Sequence, residues 1–506
     1  MIKLRRTTVI FALVVLAVLS ACRNPTSPEP GPDTAAPGEP SGLAAIGEFG
    51  QITLSWTDPG DDDLSRIEIT RSPGSGTVSE VQAGVQAFAV TGLSEGTEYT
   101  FTLAAVDVNG NRSAEQSVSA TLPPSNVTMV SASNGVADDE FGVSVALDGD
   151  YAVISSEDYP ANARDGIVYV FERDGSGNWS EETSFGAPSA SEEGLGADIG
   201  ISGSSAISGA PRSDASGEYA LVIDRDASGT WTSTKIVSSD LGADDEFGSS
   251  VDISGDYAIV GAYRNDTAGS FSGAAYVFER SAGAWPTTET AKLVASDISS
   301  GIQFGRAVAI SGSYAAVGAP YRADGALQQG AVYLFERDGS GNWVETAILS
   351  PSEPVTDLEF GTVVALSDDI LAAYAPNYSE VESFVGAVFV FERDSAGTWT
   401  ETARLEASDI AASDSFGESI DISGNLMVVG AERGDAGSTT DAGAAYVYRR
   451  TSPGNWFEIT KLTSPTPEAG SDFGGAAAIS GSTVLIGADR ADIGGSADIG
   501  QAYIFE

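Results

Sequence analysis

Histidine is absent from this 506-residue chain, and cysteine occurs once. Without imidazole there is no Ser-His-Asp or Cys-His couple, no His-bearing zinc site and no imidazole general base. A single thiol excludes an internal disulfide and a Cys-cluster metal site. Positive charge is scarce too. The 25 Lys+Arg face 72 Asp+Glu, a net charge of −47, and only four of the bases are lysine. A surface so anionic repels nucleic acid and an anionic bilayer. Long apolar runs are also wanting. The longest, Val9 to Leu19, has 11 residues, against the roughly 20 that a membrane-crossing helix needs. What remains is ample for packed cores: hydrophobic residues make up 42 % and glycine 59 positions. The chain is therefore not a disordered acidic polymer.

Lys3, Arg5 and Arg6 precede the apolar run, which ends Leu19-Ser20-Ala21-Cys22. This resembles the bacterial lipobox, in which the cysteine becomes the acylated first residue of the mature protein. The resemblance implies a signal peptide over 1–22 and lipidation at Cys22. It also implies a lipid-anchored place in the cell envelope. Residue 23 is Arg, not the Asp that in enterobacteria-like sorting retains lipoproteins at the inner membrane. That points to the outer membrane or cell surface. Residues 23–40 carry six prolines and form an extended, stiff tether.

Residues 41–122 alternate with period two, as in Ile52, Leu54 and Trp56 against Thr53 and Ser55. Turn clusters such as Asp58-Pro59-Gly60-Asp61 and Asn109-Gly110-Asn111 separate the runs. Short strands at this spacing predict a β-sandwich. Trp56 in the second strand, and Leu93 six residues before Tyr99, resemble the fibronectin type III domain with its tyrosine corner. Asp58, Asp61, Asp62 and Asp63 read as a solvated loop.

From residue 125 to 506 the chain repeats. Phe-Gly stands at 141, 247, 304, 360, 416 and 473, with Leu195-Gly196 between the first two. The spacings of 54, 52, 57, 56, 56 and 57 residues define seven units. The third unit shows four strand runs, closed by a tight Ser254-Gly255-Asp256 turn and a Trp285-led last run. Four strands in each of seven units predict a seven-bladed β-propeller. The last unit stops after its third run, at Glu506, while Val127 to Ser131 lies ahead of the first Phe-Gly. This N-terminal strand is expected to complete blade seven. The fold class is thus all-β, a sandwich plus a closed propeller. The units resemble FG-GAP repeats, known from integrin α chains and bacterial surface proteins. Phe-Gly, Gly-Ala or Gly-Ala-Pro, and Gly-Ala-x-Tyr-Val-Phe carry the likeness.

Integrin-type blades often carry a DxDxDG calcium loop, and none occurs here. Acid clusters before the first strands (Asp138-Asp139-Glu140, Asp244-Asp245-Glu246, Asp414, Asp472) suit Ca²⁺ chemically. A solvated acidic loop is the favoured reading, so no metal residue is nominated. The Asp394–Trp399 turn and its sisters resemble the structural Asp box of sialidases. The loops from second to third strand vary most, from 7 residues (211–217) to 11 (432–442, 489–499). Variable loops on a repeated scaffold are where binding sits. Five contain Arg-x-Asp: Arg212/Asp214, Arg264/Asp266, Arg322/Asp324, Arg433/Asp435 and Arg490/Asp492. Arg433-Gly434-Asp435 matches an integrin-recognition tripeptide, but its sisters vary the middle residue, so Gly434 reads as incidental. A local Arg–Asp pair or Asx turn is the plainer account. Tyr159, Tyr263, Tyr321 and Tyr378 share these loops and could stack on sugar rings. These tyrosines and all the Arg-x-Asp residues except Arg212 and Asp214 are the candidate ligand-binding set. The expected role is non-catalytic adhesion to an extracellular protein or glycan by a monomeric chain. It involves no nucleic acid, no required cofactor, and no membrane contact beyond the lipid anchor. A carbohydrate-active enzyme on the propeller and a structural envelope component are the alternatives. No catalytic residue is nominated.

Overall fold

The structure, a computed structural model, describes residues 34–506 except 49, 75–76, 95–96, 123–125, 157–165, 189–193, 213–216, 243, 267, 326, 354, 379–384, 410 and 412. Among the described residues there is no helix. The leader, Cys22 and most of the Pro-rich tether lie outside them.

Alternation of apolar and polar residues sends Ile52, Leu54 and Trp56 into the sandwich core, against Ile67, Ile69, Phe101 and Leu103. A three-stranded sheet faces a four-stranded one. The Ser94 amide donates to the Tyr99 hydroxyl at 3.0 Å, which makes the tyrosine corner. Asp58 is not simply solvated. Its carboxylate accepts from the Trp56 indole at 2.8 Å and from the Gly84 amide at 2.7 Å.

The repeats form seven four-stranded antiparallel sheets. Blade three is typical, with strands Phe247–Ser254, Tyr257–Ala262, Ala274–Glu279 and Ala291–Leu293. Its last strand starts six residues after Trp285, not at it. Pro286 follows Trp285, and proline offers no N–H to a ladder. Blade seven comprises Ala477–Ser480, Thr483–Ala488 and Gln501–Phe505. Val127–Val130 adds to it antiparallel, Phe505 facing Val127 and Ala502 facing Val130. The N-terminal strand therefore closes the ring and covers an edge that would otherwise invite foreign strands.

Seven apolar clusters fill the seven joints between blades. The joint of blade seven with blade one, holding Phe141, Ile154, Leu485 and Ile504, is one of them. Each Phe of Phe-Gly is fully buried. Phe247 meets Tyr276 edge-on at 5.5 Å, and Phe304 meets Tyr333 at 5.3 Å. The glycines are needed where blades cross. A Cβ on Gly261 would stand 2.2 Å from the Gly305 carbonyl oxygen, and one on Gly430 1.9 Å from that of Gly474. Blade one carries Ser155 there, and its hydroxyl donates to the Gly196 carbonyl at 2.8 Å instead.

Polar links run across the same joints. At one mouth of the central channel, turn amides donate to the preceding blade: Gly255 to Ser202 (3.1 Å), Gly312 to Ser254 (3.1 Å), Gly149 to Ser480 (3.0 Å). On the third strands, Arg337 reaches Glu279 at 2.9 Å, Arg450 reaches Glu392 at 2.7 Å, and Arg173 reaches Glu506 at 3.0 Å. The Glu-Arg pair thus links neighbours at several joints, while Arg393 turns to Asp369 of its own blade at 3.2 Å. Blade six reads Arg449-Arg450 instead.

Candidate functional site

First strands line a central channel of about 630 Å³. Each first strand enters from the loop side and leaves by the tight Ser-Gly-Asp type of turn. One mouth is therefore ringed by variable loops and the other by nearly invariant turns. Loops from second to third strand touch the connections entering the next blade. Gly301 donates to the Ser270 carbonyl at 2.9 Å and Gln303 to that of Phe271 at 3.1 Å. The sandwich lies on the turn side. A cavity of about 670 Å³ separates its Ile46, Trp56 and Gln86 from Asn425, Arg449 and Ser482 of blades six and seven. The loop face lies opposite the sandwich.

The blade-three loop is held by its own polar groups. Asn265 is buried, and its amide donates to the Asp245 carboxylate at 2.8 Å. Asp266 accepts the Phe271 amide at 2.8 Å. In the same position Asp435 accepts the Asp441 amide at 3.2 Å and Asp492 the Asp498 amide at 3.1 Å. The aspartates of Arg-x-Asp thus fasten loops, as Asx turns do. Their arginines turn elsewhere: Arg264 to Glu246 (2.8 Å), Arg322 to Asp297 (3.0 Å), Arg433 to Glu432 (3.3 Å), Arg490 to Asp472 (2.9 Å). Arg322 is mostly covered, while Arg433 and Arg490 project. Gly434 is pinned in its turn, donating to the Ala431 carbonyl at 2.9 Å.

The tyrosines part company. Tyr378 is buried, edge-on to Phe389 at 5.6 Å and under the Arg404 guanidinium at 4.6 Å. It belongs to the core between blades four and five and is not an open stacking surface. The apolar Phe389 face and the Arg404 charge are better partners for its ring than water is. Tyr263 and Tyr321 are half-buried on the loop face. Tyr159 and Asp214 lie outside the described residues, and Asp324 is placed only by its backbone, paired with Leu327.

Sequence reasoning passed over the residue that follows Phe-Gly. In the seven blades it is Val143, Ala197, Ser249, Arg306, Thr362, Glu418 and Gly475. These residues ring the loop-side mouth. Arg306 is the one cation among the residues lining the channel, and it is exposed. Its guanidinium lies 5.0 Å from the Tyr263 ring centre, and that of Arg264 lies 5.3 Å from it. Across the mouth the charge is negative. Burial and the Glu432 charge push Glu418 up to about 7. Burial and the Asp472 charge push Asp489 up to about 7. An alignment of the repeats against each other would have exposed both Arg306 and Glu418.

The acid clusters before the first strands serve turns. Asp139 accepts the Val136 amide at 2.6 Å, Asp245 that of Gly242 at 2.8 Å, and Asp414 that of Ala411 at 2.9 Å. All three are buried, not solvated. Among the described residues no three acidic or thiol side chains converge as a metal site would require.

With this geometry, the family comparisons are specific. The FG-GAP repeat model matches 125–171, 231–278, 287–335, 399–448 and 456–505, and the fibronectin type III model matches 38–121. The chain carries five FG-GAP repeats and a fibronectin type III domain. The first strands of blades two and five fall outside the matches. Blade two has Leu195 for the phenylalanine, and blade five has Tyr374 where blades two, three, four, six and seven have the crossing glycine. No curated protein matches the chain. Similar solved structures include the Clostridium perfringens spore cortex lytic enzyme SleM. It is 18% identical, over 17% of this chain and 28% of that one, with a TM-score of 0.16. A β-1,2-glucanase from Parabacteroides distasonis is 24% identical over 19% of this chain and 14% of that one, with a TM-score of 0.17. A Fn3-like protein from Clostridium thermocellum is 23% identical over 18% and 97%, with a TM-score of 0.16. The chain thus spans under a third of the length of the first two.

Proposed function

We propose that this is a lipid-anchored surface protein that binds an extracellular ligand, a protein or a glycan, through the loop face of its propeller. The supporting observation is the polarity of the scaffold. Variable loops gather at one channel mouth, and the sandwich occupies the opposite face. A tether and sandwich behind the propeller would present the loop face outward. FG-GAP and fibronectin type III modules accord with a binding or adhesion role.

The reading is non-catalytic. The channel-wall carboxylates Asp198, Asp252 and Asp421 are each engaged by two backbone amides, whereas a glycosidase needs a free pair about 5 Å or more apart.

The test is the full chain on glycan and extracellular-matrix arrays, with calcium and with chelator. Saturable binding that is lost on replacing loops 263–272 and 320–329 is the expected result. Silence from a folded chain would overturn the adhesive reading. The anchor is tested separately. Cys22→Ala should leave the detergent phase, and retention there would overturn lipidation.

A further inference from the structure

Among the described residues most cations are neutralised by a carboxylate. Most of the arginines among them have such a partner, as Arg264, Arg322, Arg337 and Arg490 do. Arg306 has none. Its guanidinium lies over the face of Tyr263 at 5.0 Å. It stands exposed at the loop-side channel mouth of a chain with net charge −47. With acids in such excess, an unpaired guanidinium at a cavity mouth is a vacant carboxylate receptor. Tyr263 preorganises it, because the stacked guanidinium loses little freedom on binding.

Beside it is Tyr321. Its ring has no aromatic or cationic partner among the described residues, and it is half-buried on the same face. The Gly305 amide donates to the Gly318 carbonyl at 3.0 Å and the Tyr321 amide to that of Ile302 at 3.4 Å, which sets Tyr321 beside Arg306, and the Arg306 and Glu359 charges both act on the Tyr321 hydroxyl. An open aromatic face next to an open guanidinium suits a ring that carries its carboxylate rigidly.

We infer that Arg306 and Tyr321 form a subsite for a hexuronate residue of a glycan, the carboxylate on Arg306 and the sugar ring against Tyr321. This rests on the loop-face binding reading above. A hexuronate fixes its carboxylate to the ring, so both contacts form without freezing a flexible side chain. An aspartate or glutamate of a peptide must freeze one. The ligand has its acidic residue isolated among neutral sugars. A polyuronate would be repelled by the net charge, and Glu418 at the same mouth opposes a second carboxylate.

The experiment is calorimetric titration of the full chain at low salt with three probes: a glucuronate–hexose disaccharide, the disaccharide with glucose in place of glucuronate, and an aspartate-ended tripeptide. The acidic disaccharide should bind at least tenfold tighter than the neutral one. Arg306→Gln should abolish that preference, and Arg306→Lys should keep part of it. Tyr321→Ala should weaken both sugars, whereas Tyr321→Phe should not. Melting of Arg306→Gln should match the parent, since the side chain is exposed. Equal affinity for both sugars, or a preference that survives Arg306→Gln, overturns the subsite. Tighter binding of the tripeptide overturns the sugar assignment. Failure of all three probes, with a positive array, overturns the subsite and spares the adhesive reading. Failure of probes and arrays together overturns both.

Discussion

Two kinds of glycine hold this propeller together, and they fail differently. Gly261 has an ordinary φ, yet a Cβ there would stand 2.2 Å from the Gly305 carbonyl oxygen. Gly255 has a φ of +58° and nothing within 4 Å of a Cβ. The first needs space and the second needs conformation. Gly261→Ala forces neighbouring blades apart and should cost about 1–3 kcal/mol or more, as overpacking does. Gly255→Ala should cost about 1 kcal/mol, the penalty of the left-handed region. Chemical denaturation of both variants ranks them, and the reverse order would mean that the crossing is not the constraint. The site was less legible than these glycines. Tyr263 and Tyr321 were found as aromatics in the variable loops, and Arg264 through the Arg-x-Asp pattern that five of those loops share. Tyr378 looked the same in sequence, but its ring folds back onto Phe389. Arg306 was hidden because it follows Phe-Gly, where the eye stops at the motif.

Elements were easier to read than the contacts between them. Period-two alternation and tight Ser-Gly-Asp turns make strands visible inside one unit. The Glu-Arg pair is also visible, but its bond runs to the next unit, and only the ring geometry shows that Arg337 meets Glu279. Both side chains are partly exposed, so the pair is modest. A double-mutant cycle with Arg337→Gln and Glu279→Gln should give a coupling of about 0.5–1 kcal/mol. Coupling indistinguishable from zero would make the pair ornamental. The closing strand is a larger matter. Removing Val127–Val130 uncovers Gln501–Phe505 as a bare edge and strips Val130 from the joint of blades seven and one. The truncated chain should unfold at lower denaturant and aggregate with rising concentration. A monomeric truncation with unchanged stability would show that the ring closes without it.

At the scale of the molecule, charge decides. Lost solvation holds the half-buried Asp252 at about 7 and the half-buried Asp198 and Asp421 at about 6 in the channel wall. Burial raises Glu218 to about 7 as well. Each lies above the ordinary carboxyl value, so the folded chain binds more protons than the unfolded one. Their contribution to stability is fully present below about pH 4 and is lost as pH rises through 6 to 7. Other carboxyls work the opposite way. The Asn178 side chain and backbone amides hold Asp174 low, and Ser228 does the same for Asp226. These stabilise above about pH 4 and lose their effect below it. Stability should therefore peak near pH 5 and fall toward pH 8. Repulsion among the 72 acidic side chains has the same sign, but it is long-range, and about 0.5 M salt screens it. The slope that survives in salt belongs to the buried Glu218 and the half-buried channel carboxyls. Urea midpoints between pH 5 and 8, at low and high salt, separate the two. A midpoint that rises with pH in salt would mean that the channel carboxylates are ionised and well solvated, and that water fills the space between the first strands.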